Sequence, residues 1–413
     1  MSKPAAAVSL GEIPPARSRQ QGRRSAVTLA GDVAVVGTAE GGLVGVAIGG
    51  EGRPVRAWEY ESDREGAVVA AIPVDDGVVV GERSARGAIR YHAPDGTLRW
   101  RYETRDDVGP PRDDTRFLLP FVASLAADGK RLYAAARRYE RGQSDDGASR
   151  SFESVVYAFD SDGTVGWTHR TDASPISLSV HGDRLAVAYN RCTGDHQDGL
   201  VVLDTSDGTP RWRWDPGTEG QRRVGDVALL EEGALVTSHG DYAGYKVDET
   251  GTEQWRVPLG TPRDIEGETV YAYPNHVHAT DSAAVFVTGN TYPEDGRETA
   301  VRHPNEHTAV GVSLDGDERW SAPVGGFASG LGADGTLLAV PGAQHFRDRD
   351  ADTHALRVFH VTDGHIGTFD TGGIVTAAAV DGEAIVAVEE PVVYHDEGHE
   401  RGAYRGHRFH IDR

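Results

Sequence analysis

The sequence predicts an all-β fold that repeats one unit of four short antiparallel strands. Three observations support this prediction. Six of the tryptophans recur at spacings of 42, 67, 45, 43 and 65 residues, so three spacings cluster near 43. A strand–turn–strand segment leads into each of them, and a second hairpin of small residues lies further upstream. Self-similarity at a period of roughly 20–50 residues is typical of repeat architectures.

The hairpin that ends each unit carries an aromatic residue on its second strand. Tyr157-Ala-Phe-Asp-Ser-Asp-Gly-Thr-Val-Gly-Trp167 and Tyr245-Lys-Val-Asp-Glu-Thr-Gly-Thr-Glu-Gln-Trp255 are two copies. Each reads as a strand, a polar turn and a second strand. The aromatic residues of the series are Trp58, Trp100, Trp167, Trp212, Trp255, Trp320 and Phe369.

The upstream hairpins lie, for example, at residues 177–188, 227–237 and 377–387. Two hairpins per unit make four strands, which is the signature of a propeller blade. The pattern apolar-x-Asp-x-x-(Thr/Asp)-Gly-x-x-x-Trp resembles the PQQ-like, or quinoprotein-alcohol-dehydrogenase-like, β-propeller repeat. This resemblance implies that the aromatic residues pack between neighbouring blades.

Eight units can be counted, which predicts an eight-bladed β-propeller of four-stranded antiparallel blades in a single domain over residues 1–413. The blades are expected near residues 25–62, 66–104, 120–171, 173–217, 220–260, 268–325, 327–373 and 374–413. The last unit stops after its third strand. Residues 5–13 resemble an outer strand, so we expect this N-terminal strand to close the last blade and leave no free sheet edge.

Composition excludes several classes of protein. Acidic residues outnumber basic ones by 64 to 42, which gives a formal charge of −22 and disfavours binding to nucleic-acid phosphates. With Cys192 as the single cysteine, neither a disulfide scaffold nor a cysteine-based zinc site can form. No apolar run reaches the roughly 18 residues that a membrane-spanning helix needs.

The basic residues are almost all arginine. An acid-rich, lysine-poor composition resembles that of proteins from extreme halophiles, whose surface carboxylates hold water and cations in molar salt. An acidic protein from a GC-rich genome is the alternative.

Arg23-Arg24 suggests a twin-arginine export signal, but Asp32 interrupts the apolar stretch, and residues 27–36 match other inner hairpins. We therefore expect a cytoplasmic protein.

The long insertions share one position in their units. They fall between the second and third strands, at residues 137–152, 190–199, 290–307, 344–354 and 394–407. Equivalent connections open on one face of a propeller, and long loops on a rigid scaffold often carry binding sites. We predict that these loops are presented to a protein partner; solvated surface loops are the alternative.

Basic residues concentrate near the predicted channel mouth on this face. Arginine matches the geometry of carboxylate and phosphate groups, so an anion or an acidic partner could bind there. Pairing with nearby acids such as Asp226 and Glu140 is the alternative. The candidates are Arg24, Arg137, Arg138, Arg222, Arg223, His276 and His278.

Two histidine pairs have the spacing that would place both rings on one metal ion if the segment were helical. They are His303 with His307 and His395 with His399. Pro304 and Gly398 disfavour a helix at these places. A purely structural role is therefore the alternative for both pairs.

No catalytic motif stands out. Enzymes of the family that the repeat resembles carry a vicinal cysteine pair under the quinone, which one cysteine cannot supply. Neither a Gly-x-Ser-x-Gly elbow nor a phosphate-binding loop is present. We predict a non-enzymatic binding or scaffold protein without a cofactor. A reduced PQQ/quinone- or metal-dependent oxidoreductase and a small-anion sensor at the channel mouth are the alternatives.

Overall fold

The computed structural model describes most of the chain. The described residues are 6–17, 23–49, 54–62, 66–75, 77–111, 118–144, 147–296, 299–343, 345, 353–394 and 398–410. Strands dominate these ranges, and their one α-helix is the single turn α1 (Arg105–Val108). Consecutive strands pair antiparallel in chain order, which is the meander that the repeated hairpins predict.

The first strand of the chain, β1 (Ala6–Ser9), pairs with the last sheet, as detailed below. Sheet 1 contains β2 (Ala26–Ala30), β3 (Val33–Gly37), β4 (Leu43–Ala47) and β5 (Val55–Tyr60). Sheet 2 contains β6 (Gly66–Val74), β7 (Gly77–Ser84), β8 (Ala88–His92) and β9 (Leu98–Glu103). After α1, sheet 3 contains β10 (Phe121–Ala127), β11 (Leu132–Ser144), β12 (Gly147–Phe159) and β13 (Val165–Thr171), and the pair of Phe121 with Arg83 joins it to sheet 2.

The middle of the chain continues the same order. Sheet 4 contains β14 (Ala173–His181), β15 (Arg184–Cys192), β16 (Leu200–Asp204) and β17 (Pro210–Trp214). Sheet 5 contains β18 (Val224–Leu229), β19 (Ala234–Ser238), β20 (Ala243–Val247) and β21 (Glu253–Pro258). Sheet 6 has five strands, β22 (Arg263–Ile265), β23 (Glu268–Ala279), β24 (Ala283–Pro293), β25 (Thr308–Ser313) and β26 (Glu318–Pro323).

Two sheets end the chain. Sheet 7 contains β27 (Gly332–Asp334), β28 (Leu337–Pro341), β29 (Ala355–His360) and β30 (Gly364–Asp370). The remaining strands are β31 (Ile374–Asp381), β32 (Ala384–Glu390), β33 (Val392–Val393), β34 (Glu400–Arg401) and β35 (Arg405–Phe409). Sheet 8 has the order β1–β35–β32–β31, whereas β33 and β34 form a separate ribbon. Strand β1 pairs from Ala6 opposite Arg408 to Ser9 opposite Arg405.

The core lies between the sheets. One apolar cluster joins sheets 4 and 5 through Val202 and Val236, and equivalent clusters join the other consecutive sheets. A further cluster joins sheet 8 to sheet 1 through Val388 and Val36. Middle strands such as β19 therefore bury both faces, whereas outer strands such as β21 carry exposed and half-buried residues.

The repeated motif has a direct physical basis. The indole N–H of Trp167 in sheet 3 donates a hydrogen bond to the Thr205 carbonyl, 3.0 Å away in the last turn of sheet 4. Gly208 of that turn has φ +75°, and a Cβ at this position would lie 2.5 Å from the Trp167 ring. The Asp–Gly turn thus serves both the hairpin and the docking of the preceding sheet's tryptophan. Trp100, Trp255 and Trp320 donate to the next sheet in the same way.

The structure corrects two details of the sequence-based expectations. Residues 137–152, expected as an insertion loop, extend the β11–β12 hairpin, which stays paired from Leu132–Phe159 to Ser144–Gly147. Sheet 6 gains the extra strand β22 at its inner edge. The β11–β12 and β22–β23 hairpins both extend beyond the core. Polar residues can continue such a ladder because the paired strands still satisfy their backbone hydrogen bonds.

Candidate functional site

Four arginines lie close together on the side of the sheets where β7 and β15 end and β18 begins. Phe121 at the start of β10 pairs with both Arg83 of β7 and Arg137 of β11, which brings these two residues to one place. Arg191 near the end of β15 forms a β-bridge with Arg222, just before β18. We call Arg83, Arg137, Arg191 and Arg222 the arginine row. The connections between second and third strands, including the β11–β12 hairpin, leave from the same side.

Aromatic rings hold the guanidinium groups of the row. The Arg137 guanidinium lies 5.2 Å from the centre of the Phe121 ring and 5.7 Å from that of Phe152. It also donates a hydrogen bond to the Ser174 hydroxyl. The Arg222 guanidinium lies 4.6 Å from the Tyr273 ring. Stacking of this kind orients arginine while leaving N–H groups at its edge available to a ligand.

The row concentrates positive charge. Among the described residues, no carboxylate oxygen lies within 4.0 Å of the side-chain nitrogens of Arg137, Arg191 or Arg222. Burial lowers the pKa of Arg137 to about 10, and the charges of Arg191 and Arg83 add to this effect. Burial likewise lowers the pKa of Arg191 to about 10, with Arg222 as the next cause. Arg137 and Arg191 both stay protonated at neutral pH, so the fold holds like charges close together at a cost in stability.

A group of half-buried tyrosines adjoins the row. Tyr242, Tyr271, Tyr273 and Tyr292, which we call the tyrosine platform, come from the loop before β20 and from the β23–β24 hairpin. Tyr242 stacks on Tyr271 with ring centres 4.3 Å apart, and Tyr273 contacts the other three rings. Tyr242 adopts φ +64°, a strained conformation that its packing maintains. Partly exposed tyrosine beside arginine is the composition that binding hot spots favour.

Three of the predicted anion-binding arginines have acidic partners instead. The Arg24 Nε lies 2.6 Å from Glu390 at the junction of sheets 8 and 1. The Arg223 Nε lies 2.9 Å from Asp215. Arg138 pairs with Glu140 and donates a bond of 2.5 Å to the Val108 carbonyl. These ion pairs are buried and serve packing, so of the predicted arginines only Arg137 and Arg222 belong to the row.

The two predicted histidines of β23 bind the backbone of sheet 7. His276 Nε2 lies 2.9 Å from the Ala328 carbonyl, and His278 Nε2 lies 2.8 Å from the Gly335 carbonyl. His276 Nδ1 also lies 3.6 Å from Asp226. Both histidines therefore join β23 to backbone carbonyls in or just before sheet 7.

In the first predicted histidine pair, the two rings are directed to different partners. His303 Nε2 contacts the Thr261 carbonyl at 3.0 Å, and its Nδ1 accepts the Asn305 N–H at 3.1 Å. His307 is directed elsewhere, toward Asn290. Their segment is a turn and not a helix, which is why the four-residue spacing does not align the rings. His395 lies outside the described residues, and His399 is exposed.

Sequence reasoning missed half of the site. Arg83 and Arg191 each lie 54 residues from Arg137 in the sequence, so their proximity to it follows from the sheet packing. The tyrosine platform had a local signal, because Tyr271 and Tyr273 alternate on one face of a strand longer than the repeat requires. Glu306 and His345 also went unassigned, although the structure places them against His307.

Comparisons with known proteins agree with this architecture. Residues 152–334, from β12 to β27, match the family model described as outer membrane protein assembly factor BamB. No curated protein sequence matches the chain.

Solved structures similar to the whole chain include BamB from Moraxella catarrhalis, at 16% identity and a TM-score of 0.54, covering 97% of this chain and 99% of that one. Sqt1 of Saccharomyces cerevisiae has 11% identity and a TM-score of 0.53, covering 98% and 100%. The Dos1 propeller has 11% identity and a TM-score of 0.55, covering 99% and 95%. The fold is a β-propeller with PQQ-like repeats.

The prediction of an all-β propeller is thus confirmed, and we call its sheets blades from here. Likeness at these identities concerns the fold alone, so a site must be argued from the propeller's own residues. No helix in the described part of the chain is long and apolar enough to cross a bilayer.

Proposed function

We propose that the propeller is a non-enzymatic scaffold that binds an acidic segment of a protein partner on the face bearing the arginine row. The observation that carries this proposal is the set of adjacent guanidinium groups of Arg137, Arg191 and Arg222, which no described carboxylate neutralises, in a chain of net charge −22. A chain with so many acidic residues could supply carboxylate partners for these three arginines, as it does for Arg24 and Arg223.

Electrostatics favour an anionic partner at this place. The charges of Arg191 and Arg83 help to lower the pKa of Arg137, and the charge of Arg222 helps to lower that of Arg191. A carboxylate between them would relieve this repulsion and form charge-assisted hydrogen bonds. The surrounding acidic surface would repel the same partner elsewhere and direct it to the row. An attractive row on a repulsive surface supports binding of an anionic partner at the row and disfavours its binding elsewhere on the protein.

The tyrosine platform favours a peptide ligand over a small inorganic ion. Stacked tyrosines offer apolar area at a low cost in side-chain entropy, and Arg222 connects them to the row through Tyr273. A partner segment with acidic and apolar side chains would use both surfaces. A small anion would use the row alone, so a small-anion sensor is the second candidate function.

We further propose that eight blades form one closed domain over residues 1–413. The apolar cluster between blades 8 and 1 and the pairing of β1 with β35 support this arrangement. The predicted cytoplasmic location and halophilic origin belong to the same proposal, and the salt experiment in the Discussion tests the latter.

The decisive variant replaces Arg137, Arg191 and Arg222 by glutamine together. A matched control replaces Arg131, Arg211 and Arg256, which pair with Asp160, Asp204 and Glu253 away from the row. Both variants change the net charge equally. Proteins retained from host lysate by the immobilised full-length chain would be identified and then titrated in purified form. We expect a partner that the control binds normally and the row variant binds at least tenfold more weakly.

Titration with inorganic phosphate and sulfate forms the second arm. Tight binding of either ion, lost in the row variant and accompanied by no row-dependent protein, would support the small-anion sensor and overturn the scaffold. If neither a protein nor an ion distinguishes the row variant from the control, the row has no binding role.

A further inference from the structure

A separate cluster of metal-ligating side chains joins blades 6 and 7. Glu306 and His307 precede β25, and His345 lies in the connection between β28 and β29. One donor atom from each residue lies within 4.8 Å of the other two. His307 and His345 are buried, and the Glu306 side chain is only 7% exposed. Two imidazoles and a carboxylate thus converge from connections on different blades.

The hydrogen bonds of His307 determine which ring nitrogen can bind a metal. His307 Nε2 lies 2.8 Å from the side-chain oxygen of Asn290, an acceptor, so this nitrogen carries the proton. The lone pair is therefore on Nδ1, which is shielded from solvent. A metal-binding histidine typically donates its second ring N–H to an oxygen in this manner.

Glu306 is held in a similar way. Its Oε2 accepts hydrogen bonds from the Thr291 hydroxyl and from the Thr291 N–H, the latter at 3.2 Å. Its Oε1 faces His345 Nε2 at 3.5 Å. One carboxylate oxygen is thus anchored to β24, and the other points into the cluster. Anchoring of this kind prepares a carboxylate for a cation.

The two imidazoles meet edge to face, with ring centres 4.6 Å apart and an interplanar angle of 88°. His307 adopts φ +48°, a conformation that residues other than glycine rarely occupy. Such strain persists where the surrounding structure imposes it, and it often marks functional positions. Here it brings the His307 ring toward the neighbouring blade.

We propose that Glu306, His307 and His345 bind one divalent transition-metal ion, with zinc as the best match, which fastens the blade 7 connection to blade 6. Two histidines and one glutamate form a known zinc donor set, with a fourth position left for water or another oxygen ligand. Imidazole donors disfavour calcium and magnesium, which prefer oxygen ligands. This site is distinct from the arginine row, and neither depends on the other.

The test is binding of zinc to the full-length chain after treatment with a chelator. Calorimetry should give one Zn²⁺ per chain with a dissociation constant of micromolar or tighter. His307→Ala, His345→Ala and Glu306→Gln should each weaken binding at least tenfold, and Asn290→Ala by about tenfold to a hundredfold. Cobalt(II) should give the intense visible absorption of a low-coordinate site with nitrogen and oxygen ligands.

His303→Ala is the matched control, since this neighbouring histidine uses both ring nitrogens in other contacts. It should bind zinc as the wild type does. Zinc should also raise the melting temperature of the wild type and of the His303 variant and leave the His345 variant unchanged. Absence of zinc binding at 0.1 mM, or equal losses in the His303 and His307 variants, would overturn the site. Because Glu306→Gln keeps the shape of the side chain, its result remains interpretable if an alanine variant fails to fold.

Discussion

At the residue scale, turn glycines contribute to stability in two ways: they adopt a positive φ, and some leave room for a tryptophan of the preceding blade. Gly208 has φ +75° and lies against Trp167 of the preceding blade, whereas Gly129 has nearly the same φ, +79°, with no atom within 4 Å of a Cβ built there. The two positions therefore separate the cost of backbone conformation from the cost of displacing a docked tryptophan.

We expect Gly129→Ala to destabilise the fold by about 1–2 kcal/mol, the cost of a left-handed conformation for a residue with a Cβ. Gly208→Ala should cost about 1–3 kcal/mol more, because the Trp167 ring must move as well. Equilibrium urea unfolding followed by tryptophan fluorescence measures both values. Equal losses in the two variants would show that the tryptophan contact contributes little.

A buried ion pair also acts at the residue scale, within blade 8. Glu389 Oε2 lies 2.6 Å from His407 Nε2, and its Oε1 accepts the backbone N–H groups of Gly373 and Ala403 at 2.7 and 3.1 Å. Burial alone would raise the pKa of Glu389, but the hydrogen bonds and the charge of His407 outweigh it and lower the pKa. The folded state thus favours the ionised carboxyl more than the unfolded chain does.

This lowered pKa predicts loss of stability in acid. Above the unfolded pKa of about 4.3 the contribution of Glu389 is complete, and it disappears as the pH falls through the lower folded value. Glu389→Gln should be less stable than the wild type at pH 7, and its melting temperature should fall less between pH 5 and pH 3. Glu59→Gln, at an exposed pair with Arg56, is the control and should keep the wild-type slope. Identical slopes for all three proteins would contradict the assignment.

At the scale of elements, β1 links the two ends of the chain. It pairs with β35, Leu10 just after it is buried, and Arg56 of β5 donates to the Ser9 carbonyl at 2.9 Å. The strand thus contacts both the last blade and the first. Without it, β35 would present an unpaired edge to solvent.

Deleting residues 1–12 should lower the free energy of unfolding by about 4 kcal/mol, from lost burial of Val8 and Leu10 and from the lost ladder hydrogen bonds. The truncated chain should also tend to associate through the exposed β35 edge. Differential scanning calorimetry and light scattering measure the two effects. Deletion of residues 1–5 is the control and should leave the melting temperature unchanged. An unchanged melting temperature after the longer deletion would refute closure by β1.

At the scale of the whole molecule, the acids lie mainly at the surface while the basic groups are partly enclosed. Asp95 and Asp162, for example, sit in exposed turns where each accepts a backbone N–H at 2.9 Å. Arg24, Arg90 and Arg223 are buried. The carboxylates that give the net charge of −22 therefore repel one another across the surface.

Salt should accordingly stabilise the propeller. Raising KCl from 0.1 M to 2 M shortens the screening length from about 10 Å to below 3 Å, which removes most repulsion between surface carboxylates. We expect the melting temperature to rise by about 5–10 °C. Sucrose at equal water activity is the control and should have a smaller effect. A melting temperature that does not respond to KCl would argue against the halophilic interpretation.

The propeller could be predicted from the sequence because its cause is local. The Asp–Gly turn and the tryptophan that follows it fall within about a dozen residues, and each turn receives the tryptophan of the preceding blade in the same way. The proposed binding face could be predicted only in part. The positions of Arg137 and Arg222 near the predicted channel mouth point to them, but Arg24, Arg138 and Arg223 have the same placement and are neutralised by carboxylates. Pairing between distant residues leaves no local signal.

The sequence by itself determined the repeat and the four-stranded units, since hydrophobic alternation and turn chemistry act over a few residues. The docking of aromatic residues between blades is what the resemblance to PQQ-like repeats implies. Only the tertiary structure decided which arginines have carboxylate partners and which metal-ligating donors lie close together. Arg83, Arg137, Arg191 and Arg222 come from four blades, and Glu306 and His345 from two. Their proximity depends on how rigid blades pack against each other, which no single stretch of sequence contains.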